Sequence, residues 1–170
     1  MPDEQIKIIP YDSSWPAKFE KEKKLIENTI GEFIHGGIHH IGSTSIPNLS
    51  AKPIIDILVG VESLEKSKPC IELLSKIHYQ YSPYKPDIEH WFCKPSPEHR
   101  THHLHLIAAG HPEFKARLAF RDYLRTHEDA KSNYEKLKLR LAEEFRNDRE
   151  AYTQAKGQFV KAILTKALVE

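Results

Sequence analysis

The sequence predicts an α+β fold, with a mixed β-sheet and helices over about residues 1–110 and a helical part over about 111–170. A nearly continuous β-branched run at 53–61 predicts a central strand that is covered on both faces. Two further strand patterns precede a helical periodicity that continues to the end of the chain. With 170 residues, the chain is expected to form one domain whose core needs no disulfide or structural metal.

The first elements follow from spacing and from helix-breaking residues. Apolar residues recur at helical intervals over 15–32, which predicts a helix that Gly31 and the pair Gly36-Gly37 stop. A short strand is predicted at 38–41, before the central strand. A second helix is predicted over 63–77, with Leu64, Ile71, Leu74 and Ile77 facing inward.

The later elements are separated by prolines. Strands are predicted at 88–94 and 101–108, and Pro95 and Pro97 predict a loop between them. Pro112 opens a helix that should run to about His127. Two more helices are predicted from their apolar positions, one marked by Tyr134, Leu137, Leu141 and Phe145 and the other by Phe159, Val160, Ile163 and Ala167.

Charge and cysteine content restrict the classes of function. The chain carries 25 Lys+Arg against 24 Asp+Glu, which predicts neither a nucleic-acid groove nor a strongly charged surface. No apolar run approaches the ~20 residues of a membrane span, and the acidic first residues do not resemble a signal segment. Cys70 and Cys93 have no paired-ligand spacing, so we expect reduced thiols and a cytoplasmic protein, and the charge balance leaves small anionic ligands open.

Histidine is unusually abundant, with 11 residues, of which six lie between positions 90 and 111. On a strand at 101–108, His103 and His105 face one side together. They could bind a transition metal or phosphate, or they could be partly buried structural histidines. Glu89 on the neighbouring strand could add a carboxylate. The remaining histidines of interest are expected on the surface or in loops: His90, His99 and His111.

The segment Gly42-Ser43-Thr44-Ser45 follows a short strand. Glycine allows the backbone to turn sharply and to approach a ligand closely, and the hydroxyl groups beside it could help to hold a phosphate. A Gly-Ser pair alone more often marks an ordinary turn.

Asp56 lies inside the apolar central strand, where an unpaired carboxylate would cost several kcal/mol. Asp56 must therefore be paired, bind a metal or face a cleft. A structural salt bridge to Lys52 is the simplest alternative to a functional role.

Several long segments resemble the GrpB family, also called UPF0157. The resemblance covers almost the whole chain, from Tyr11 and Trp15 to the last helix. It is carried by His40-Ile41-Gly42-Ser43-Thr44-Ser45-Ile46-Pro47, Ala51-Lys52-Pro53-Ile54-Ile55-Asp56-Ile57, Arg100-Thr101-His102-His103-Leu104-His105-Leu106 and Phe120-Arg121-Asp122-Tyr123-Leu124-Arg125.

The resemblance implies the nucleotidyltransferase superfamily and a nucleotidyltransferase-like sheet. In that superfamily a Gly-Ser turn holds a triphosphate, and a carboxylate pair on the next strand places two divalent metals. It implies a transfer of a nucleoside monophosphate from a nucleoside triphosphate to an unidentified acceptor. The implied phosphate contacts are Gly42, Ser43, Ser45, Lys52, Arg121, Lys138 and Lys156; the implied metal ligands are Asp56, His103 and His105.

One position departs from the superfamily pattern. The second carboxylate would lie two residues after Asp56, where the chain has Leu58. Three hypotheses follow: a nucleotidyltransferase that uses Mg²⁺ or Mn²⁺, a catalytically silent nucleotide- or metabolite-binding module, or a histidine-containing metal site, which could bind Zn²⁺, with hydrolytic chemistry.

Overall fold

The computed structural model, which describes residues 4–169, is built around strand β2 (Ile55–Val61), the apolar run that the sequence marks as central. It pairs antiparallel with β1 (Ile34–Ile41) and parallel with β5 (Arg100–Ala108). Two antiparallel strands, β4 (Glu89–Pro95) and β3 (Gln80–Tyr81), extend the sheet in the order β1-β2-β5-β4-β3. The α+β class and the mixed sheet are confirmed.

One face of the sheet packs against the first two helices. Ile55, Ile57 and Val59 of β2 are buried there, because alternate residues of a strand point to the same side. They belong to one apolar core with residues of α1 (Trp15–Ile30) and α2 (Pro69–Ser75). The prediction that both faces of the central strand are covered is therefore correct for this face.

The opposite face is covered in part by α3 (Pro112–Thr126) and in part borders a cleft. Leu58 of β2 is fully buried there in a cluster with Phe114 of α3. The rest of the chain is helical: α4 (Glu128–Glu144), α5 (Arg149–Ala155) and α6 (Gly157–Ala167). Within residues 4–169, no helix is both long enough and apolar enough to cross a bilayer.

The helix predicted over 63–77 is shorter in the structure. Residues 64–68 form a hydrogen-bonded turn, and the helix begins only at Pro69. The Ser67 hydroxyl donates to the Ser63 carbonyl at 2.7 Å, a local bond that competes with regular helix geometry. Proline has no N–H to donate and suits the first helical position.

The prediction that Gly31 stops the first helix is correct, whereas the pair Gly36-Gly37 does not stop it and lies within β1. Helix α1 already ends at Ile30, and the chain passes through a 3₁₀ turn at Gly31–Phe33 into the longer strand. Gly36 lies against Gly60 of β2 where the register of the two strands is irregular. The pair therefore allows two backbones to approach each other closely.

Two short elements have no counterpart in the sequence prediction. Strand β3 has only two residues, and helix α5 has one large buried apolar side chain, Tyr152, so neither shows a periodic pattern. The carboxylate of Asp148 accepts the Ala151 backbone N–H at 3.0 Å and caps α5. The thiols of Cys70 and Cys93 are buried and unpaired, as expected.

We expect Gly60→Ala to destabilise the protein by about 1–3 kcal/mol or more, because the new methyl group cannot be accommodated. A Cβ at this position would lie 2.5 Å from Gly36 Cα and 2.9 Å from Gly36 N. Urea unfolding measures the loss. Gly110→Ala is the matched control, since a Cβ there meets nothing within 4 Å. Equal stability of the two variants would contradict this packing.

Candidate functional site

The candidate site is a cleft of about 430 Å³ between the second face of the sheet and the C-terminal helices. The floor is formed by the turn that follows β1, by Asp56 of β2 and by two histidines of β5. Helices α4 and α5 supply the opposite wall, which includes Lys138 and Thr153. Eight of the ten residues predicted for the site line this cleft: Gly42, Ser43, Lys52, Asp56, His103, His105, Lys138 and Lys156.

Strand register places the two histidines beside the aspartate. In the parallel β2–β5 pair, Asp56 is opposite His103, and neighbouring strands lie ~4.8 Å apart. His105 follows on the same face, while Leu104 and Leu106 are fully buried on the other. The predicted common face of His103 and His105 is confirmed.

Asp56 is held in an ion pair with His105. The Nε2 of His105 lies 2.7 Å from Asp56 Oδ1, and its Nδ1 lies 3.0 Å from Glu89 Oε2. Burial favours the neutral form of both partners, but their mutual attraction is stronger and lowers the pKa of Asp56. For the same reason the pKa of His105 is raised despite its burial, so its position between two carboxylates favours the imidazolium form. The alternative partner, Lys52, does not pair with Asp56.

Glu89 continues this chain of charges away from the cleft. It is only 1% exposed, and it also accepts from Arg117 Nη1 of α3 at 2.9 Å. Because both donors reach the same oxygen, Arg117 Nη1 lies 2.8 Å from His105 Nδ1. The carboxylate that the sequence suggested as a ligand therefore lies behind the floor and holds His105 in place.

The donors present do not form the carboxylate pair of a two-metal site. Leu58 occupies the position of the second carboxylate and is fully buried among apolar side chains. Both nitrogens of His105 already face carboxylates. Across residues 4–169, no three His, Cys, Asp or Glu side chains are grouped to hold a metal ion. The divalent metal stays a prediction, with Asp56 and His103 as the remaining donors.

His103 differs from His105 in having an unpaired nitrogen. Its Nε2 is buried and has no hydrogen-bond partner, although the residue lines the cleft. Burial lowers the pKa of His103 to about 3, and the attraction of Asp56 offsets only part of this shift. His103 is therefore a neutral imidazole at physiological pH and can accept or donate one further bond.

The turn after β1 requires glycine for two reasons. Gly42 has a φ of 71°, and a Cβ there would lie 2.8 Å from Asp56 Cβ and 2.9 Å from its Oδ2. Ser43 lines the cleft, whereas Ser45 is buried under the turn and its hydroxyl donates to the Gly42 carbonyl at 2.5 Å. Of the two predicted serines, Ser43 can reach a ligand and Ser45 stabilises the turn.

The predicted phosphate ligand Arg121 does not line the cleft. Its Nη1 donates to the His40 carbonyl at 3.1 Å, and its guanidinium pairs with Asp122 at 2.8 Å. Arg125, one helical turn later, donates from Nε and Nη2 to the Ser45 carbonyl at 3.0 and 2.8 Å. The arginine row of α3 thus holds both ends of the Gly-Ser turn from behind.

The three predicted lysines do converge on the cleft. Lys52 precedes β2, Lys138 lies on α4 and Lys156 follows α5, yet all three line the same space. The amines of Lys52 and Lys156 lie 5.0 and 4.5 Å from the centroid of the Tyr152 ring. The Lys138 amine donates to the Ser50 carbonyl. Burial, together with repulsion between these cations, lowers the pKa of Lys52 and of Lys138 to about 7.

Sequence reasoning missed the aromatic and arginine side chains of the cleft. Trp91 lies opposite His105 in the β4–β5 pair and contacts the ring of His103 at 5.2 Å between centroids. The guanidinium of Arg100 lies 5.2 Å from the Trp91 ring. The alternation of Trp91 with the fully buried Phe92 could have placed it on the cleft face. No comparable alternation in the sequence places Arg149 of α5 in the cleft.

The other histidines take three different positions. His90 was expected at the surface, but it is buried in β4, where its Nε2 lies 2.8 Å from the Leu64 carbonyl. His111 caps α3 by accepting the Glu113 N–H at 3.0 Å. His99 is exposed in a loop, as expected.

We expect a pH-dependent coupling between Asp56 and His105, measured by urea unfolding of Asp56→Asn, His105→Gln and the double variant. Below its ordinary pKa of 6.5 the imidazolium contributes fully, and the contribution is lost as the pH rises through the raised value. As the pH falls, the contribution of the ion pair is lost only below the ordinary Asp pKa of 3.8, because the pKa of the Asp56 carboxylate is lowered in the folded protein. The coupling should reach at least about 1.5 kcal/mol at about pH 5.5 and fall at about pH 9.

The exposed pair Glu143–Arg146, 2.6 Å apart, is the control. Its coupling should stay below about 1 kcal/mol at both pH values, because solvent screens surface ion pairs. A coupling at Asp56–His105 that matches this control would contradict the buried ion pair.

Comparison with known proteins gives a consistent result. The chain is 38% identical over 165 residues to the glutamate-rich protein GrpB of Alkalihalophilus pseudofirmus, covering 94% of each protein. It is 36% identical over 160 residues to the UPF0157 protein YqkA of Bacillus subtilis, of which it spans only 46%. A segment of the dephospho-CoA kinase of Mycolicibacterium paratuberculosis is 26% identical and makes up 43% of that protein.

A solved structure agrees with the fold. The crystal structure of the conserved protein GrpB from Enterococcus faecalis superposes with a TM-score of 0.87 at 35% identity, covering 95% of this chain and 97% of that one. The family model described as GrpB protein matches residues 5–166. The chain belongs to the GrpB family.

Proposed function

We propose that this protein binds a nucleoside triphosphate, or a closely related nucleotide, in the cleft. The phosphates contact Lys52, Lys138 and Lys156 beside the Gly42-Ser43 turn. The observation that carries the proposal is the convergence of these three lysines, which are far apart in sequence, on one concave surface.

The charge balance of the cleft favours a polyanion. Its lining includes five basic side chains but only two carboxylates, Asp56 and Glu150. The basic side chains are Lys52, Arg100, Lys138, Arg149 and Lys156. Asp56 is already neutralised by His105. Bringing these cations together costs free energy, and a bound phosphate chain would relieve that repulsion.

The aromatic wall favours a ligand with a planar group. Trp91 and Tyr84 lie on the β4 side of the cleft, with 6.4 Å between their ring centroids. Tyr84 is 42% exposed, so part of its ring is available for stacking. Bases stack on aromatic side chains, which inorganic phosphate cannot do.

The similarity to a dephospho-CoA kinase supports a function connected with nucleotides. That protein is named as a kinase of dephospho-CoA, and the segment that resembles this chain forms less than half of it. The likeness does not specify the ligand, so the ligand class proposed for this chain rests on the cleft.

Nucleotidyl transfer is the second candidate, favoured by the unpaired Nε2 of His103 beside Asp56. A divalent cation held by these two residues would supply charge neutralisation at the transferred phosphate. The buried Leu58 and the doubly engaged His105 favour binding without transfer.

Titration calorimetry with ATP, GTP, CTP and UTP, each alone and with Mg²⁺ or Mn²⁺, tests the proposal. We expect Lys156→Ala to weaken binding about tenfold, since a hydrogen bond to a charged group contributes about 1.5 kcal/mol or more. Lys161→Ala on the exposed face of α6 is the control and should leave the affinity unchanged.

The outcomes separate the candidates. Failure of the wild type to bind any of these nucleotides would refute the proposal. Pyrophosphate release from the same samples that disappears in Asp56→Asn would establish transfer, whereas binding without release identifies a binding module.

We expect the affinity for a nucleoside triphosphate to decrease as the pH rises above about 7. In the free protein the pKa values of Lys52 and Lys138 are about 7, and only the ammonium forms attract phosphate. Binding should raise both pKa values and take up protons, which calorimetry in buffers of different ionisation enthalpy detects. Lys52→Arg stays charged and should show a weaker pH dependence. An affinity that is constant from about pH 6 to 9 would contradict this prediction.

A further inference from the structure

We propose that Lys52 is a nucleophilic amine and that the cleft accepts a phosphorylated aldehyde or ketone, which Lys52 captures as an imine. This goes beyond nucleotide binding. It uses the same cleft as the proposed function and keeps the contacts of Lys138 and Lys156 with phosphate, but Lys52 acts as the reacting amine instead of a phosphate contact.

The backbone of Lys52 is fixed at the rim of the cleft. Ala51, immediately before it, exchanges two hydrogen bonds with Ile9 at 2.9 and 3.0 Å, and Pro53 follows it. The side chain extends into the cleft, where its amine lies 5.0 Å from the centroid of the Tyr152 ring. The fixed backbone and the contact with the Tyr152 ring therefore place this amine in the cleft, where a ligand can reach it.

The amine of Lys52 differs from the other buried lysine amines in the kind of group that it contacts. Among residues 4–169, no carboxylate or carbonyl accepts a hydrogen bond from it, and an aromatic ring is its one close partner. By contrast, Lys138 donates to the Ser50 carbonyl. Lys94 pairs with Glu22 at 2.6 Å. Lys52 can thus react without first losing a hydrogen bond.

The surroundings of Lys52 disfavour its charged form. Burial has the largest effect and repulsion by Lys156 the next, while Asp56 of β2 opposes both. The other titratable or charged groups that act on it come from α4, α5 and β5: Lys138, Arg149, Arg100 and the neutral His103. The pKa of Lys52 is lowered to about 7, so the free amine is far more populated at neutral pH than in an ordinary lysine.

A desolvated lysine beside other cations is the arrangement that activates an amine toward carbonyl compounds. The nitrogen lone pair forms a C–N bond with the carbonyl carbon. The carbonyl oxygen then leaves as water with both amine hydrogens, and a C=N bond remains. No oxidant, reductant or third reactant takes part.

The ligand should carry a phosphate because the cations around Lys52 remain charged when its amine reacts. Lys156 lies over the same Tyr152 ring, 4.5 Å from the centroid. A phosphate beside the carbonyl group would pair with Lys156 and the neighbouring arginines and place the carbon at the Lys52 nitrogen.

Pyridoxal 5′-phosphate, an aldehyde that carries a phosphate, is the probe. After borohydride reduction of the wild-type protein, peptide mapping should find the adduct at Lys52, with a labelling midpoint near pH 7 instead of near the ordinary lysine pKa of 10.5. Pyridoxal without the phosphate should label at least about tenfold less under the same conditions.

Two variants complete the test. Lys52→Arg should lose the adduct and keep its circular dichroism spectrum, whereas Lys161→Arg should keep the adduct, because Lys161 is exposed on α6 and does not line the cleft. An adduct distributed over exposed lysines, an adduct on Lys138 or Lys156, or equal labelling by pyridoxal would each overturn the inference. Nucleotide titration of the unlabelled wild type reports separately on the proposed function.

Discussion

A chain of buried charges holds this structure together around its cleft. Asp56 on β2, His105 on β5, Glu89 on β4 and Arg117 on α3 are connected by contacts of 2.7 to 3.0 Å. Each charge is compensated by its neighbour, and this alone makes a carboxylate tolerable inside the apolar central strand. The chain of charges thereby joins three adjacent strands to the helix that covers them.

This arrangement determines how the cleft is built. Because α3 is anchored by Arg117, its next two turns place Arg121 and Arg125 against the carbonyls of His40 and Ser45. The Gly-Ser turn is therefore fixed from behind, and its outer side is left for a ligand. The arginine row, which the sequence suggested for phosphate, positions the backbone. The lysines that we propose as phosphate contacts come from three other places: Lys52 before β2, Lys138 on α4 and Lys156 after α5.

The chemistry of the cleft follows from which charges are paired. Asp56 is neutralised by His105. The cationic side chains that the C-terminal helices contribute to the cleft therefore outnumber the carboxylates that could neutralise them. Burial and, after it, mutual repulsion lower the pKa of Lys52 and Lys138, and a phosphate-bearing ligand would relieve the repulsion. The same imbalance of charge supports both proposals, nucleotide binding and a reactive amine at Lys52. The apolar Leu58, in contrast, favours neither a pair of metal ions nor nucleotidyl transfer.

The sequence by itself determined the α+β class, the central strand and the common face of His103 and His105, because apolar periodicity and side-chain alternation are local properties. It also marked Asp56 as a residue that must be compensated. Only the tertiary structure decided that His105, and not Lys52, compensates it, and that Arg121 lies outside the cleft. Pairing partners and wall residues come from segments far apart in the chain, and their proximity depends on strand order and helix packing, which no local pattern encodes.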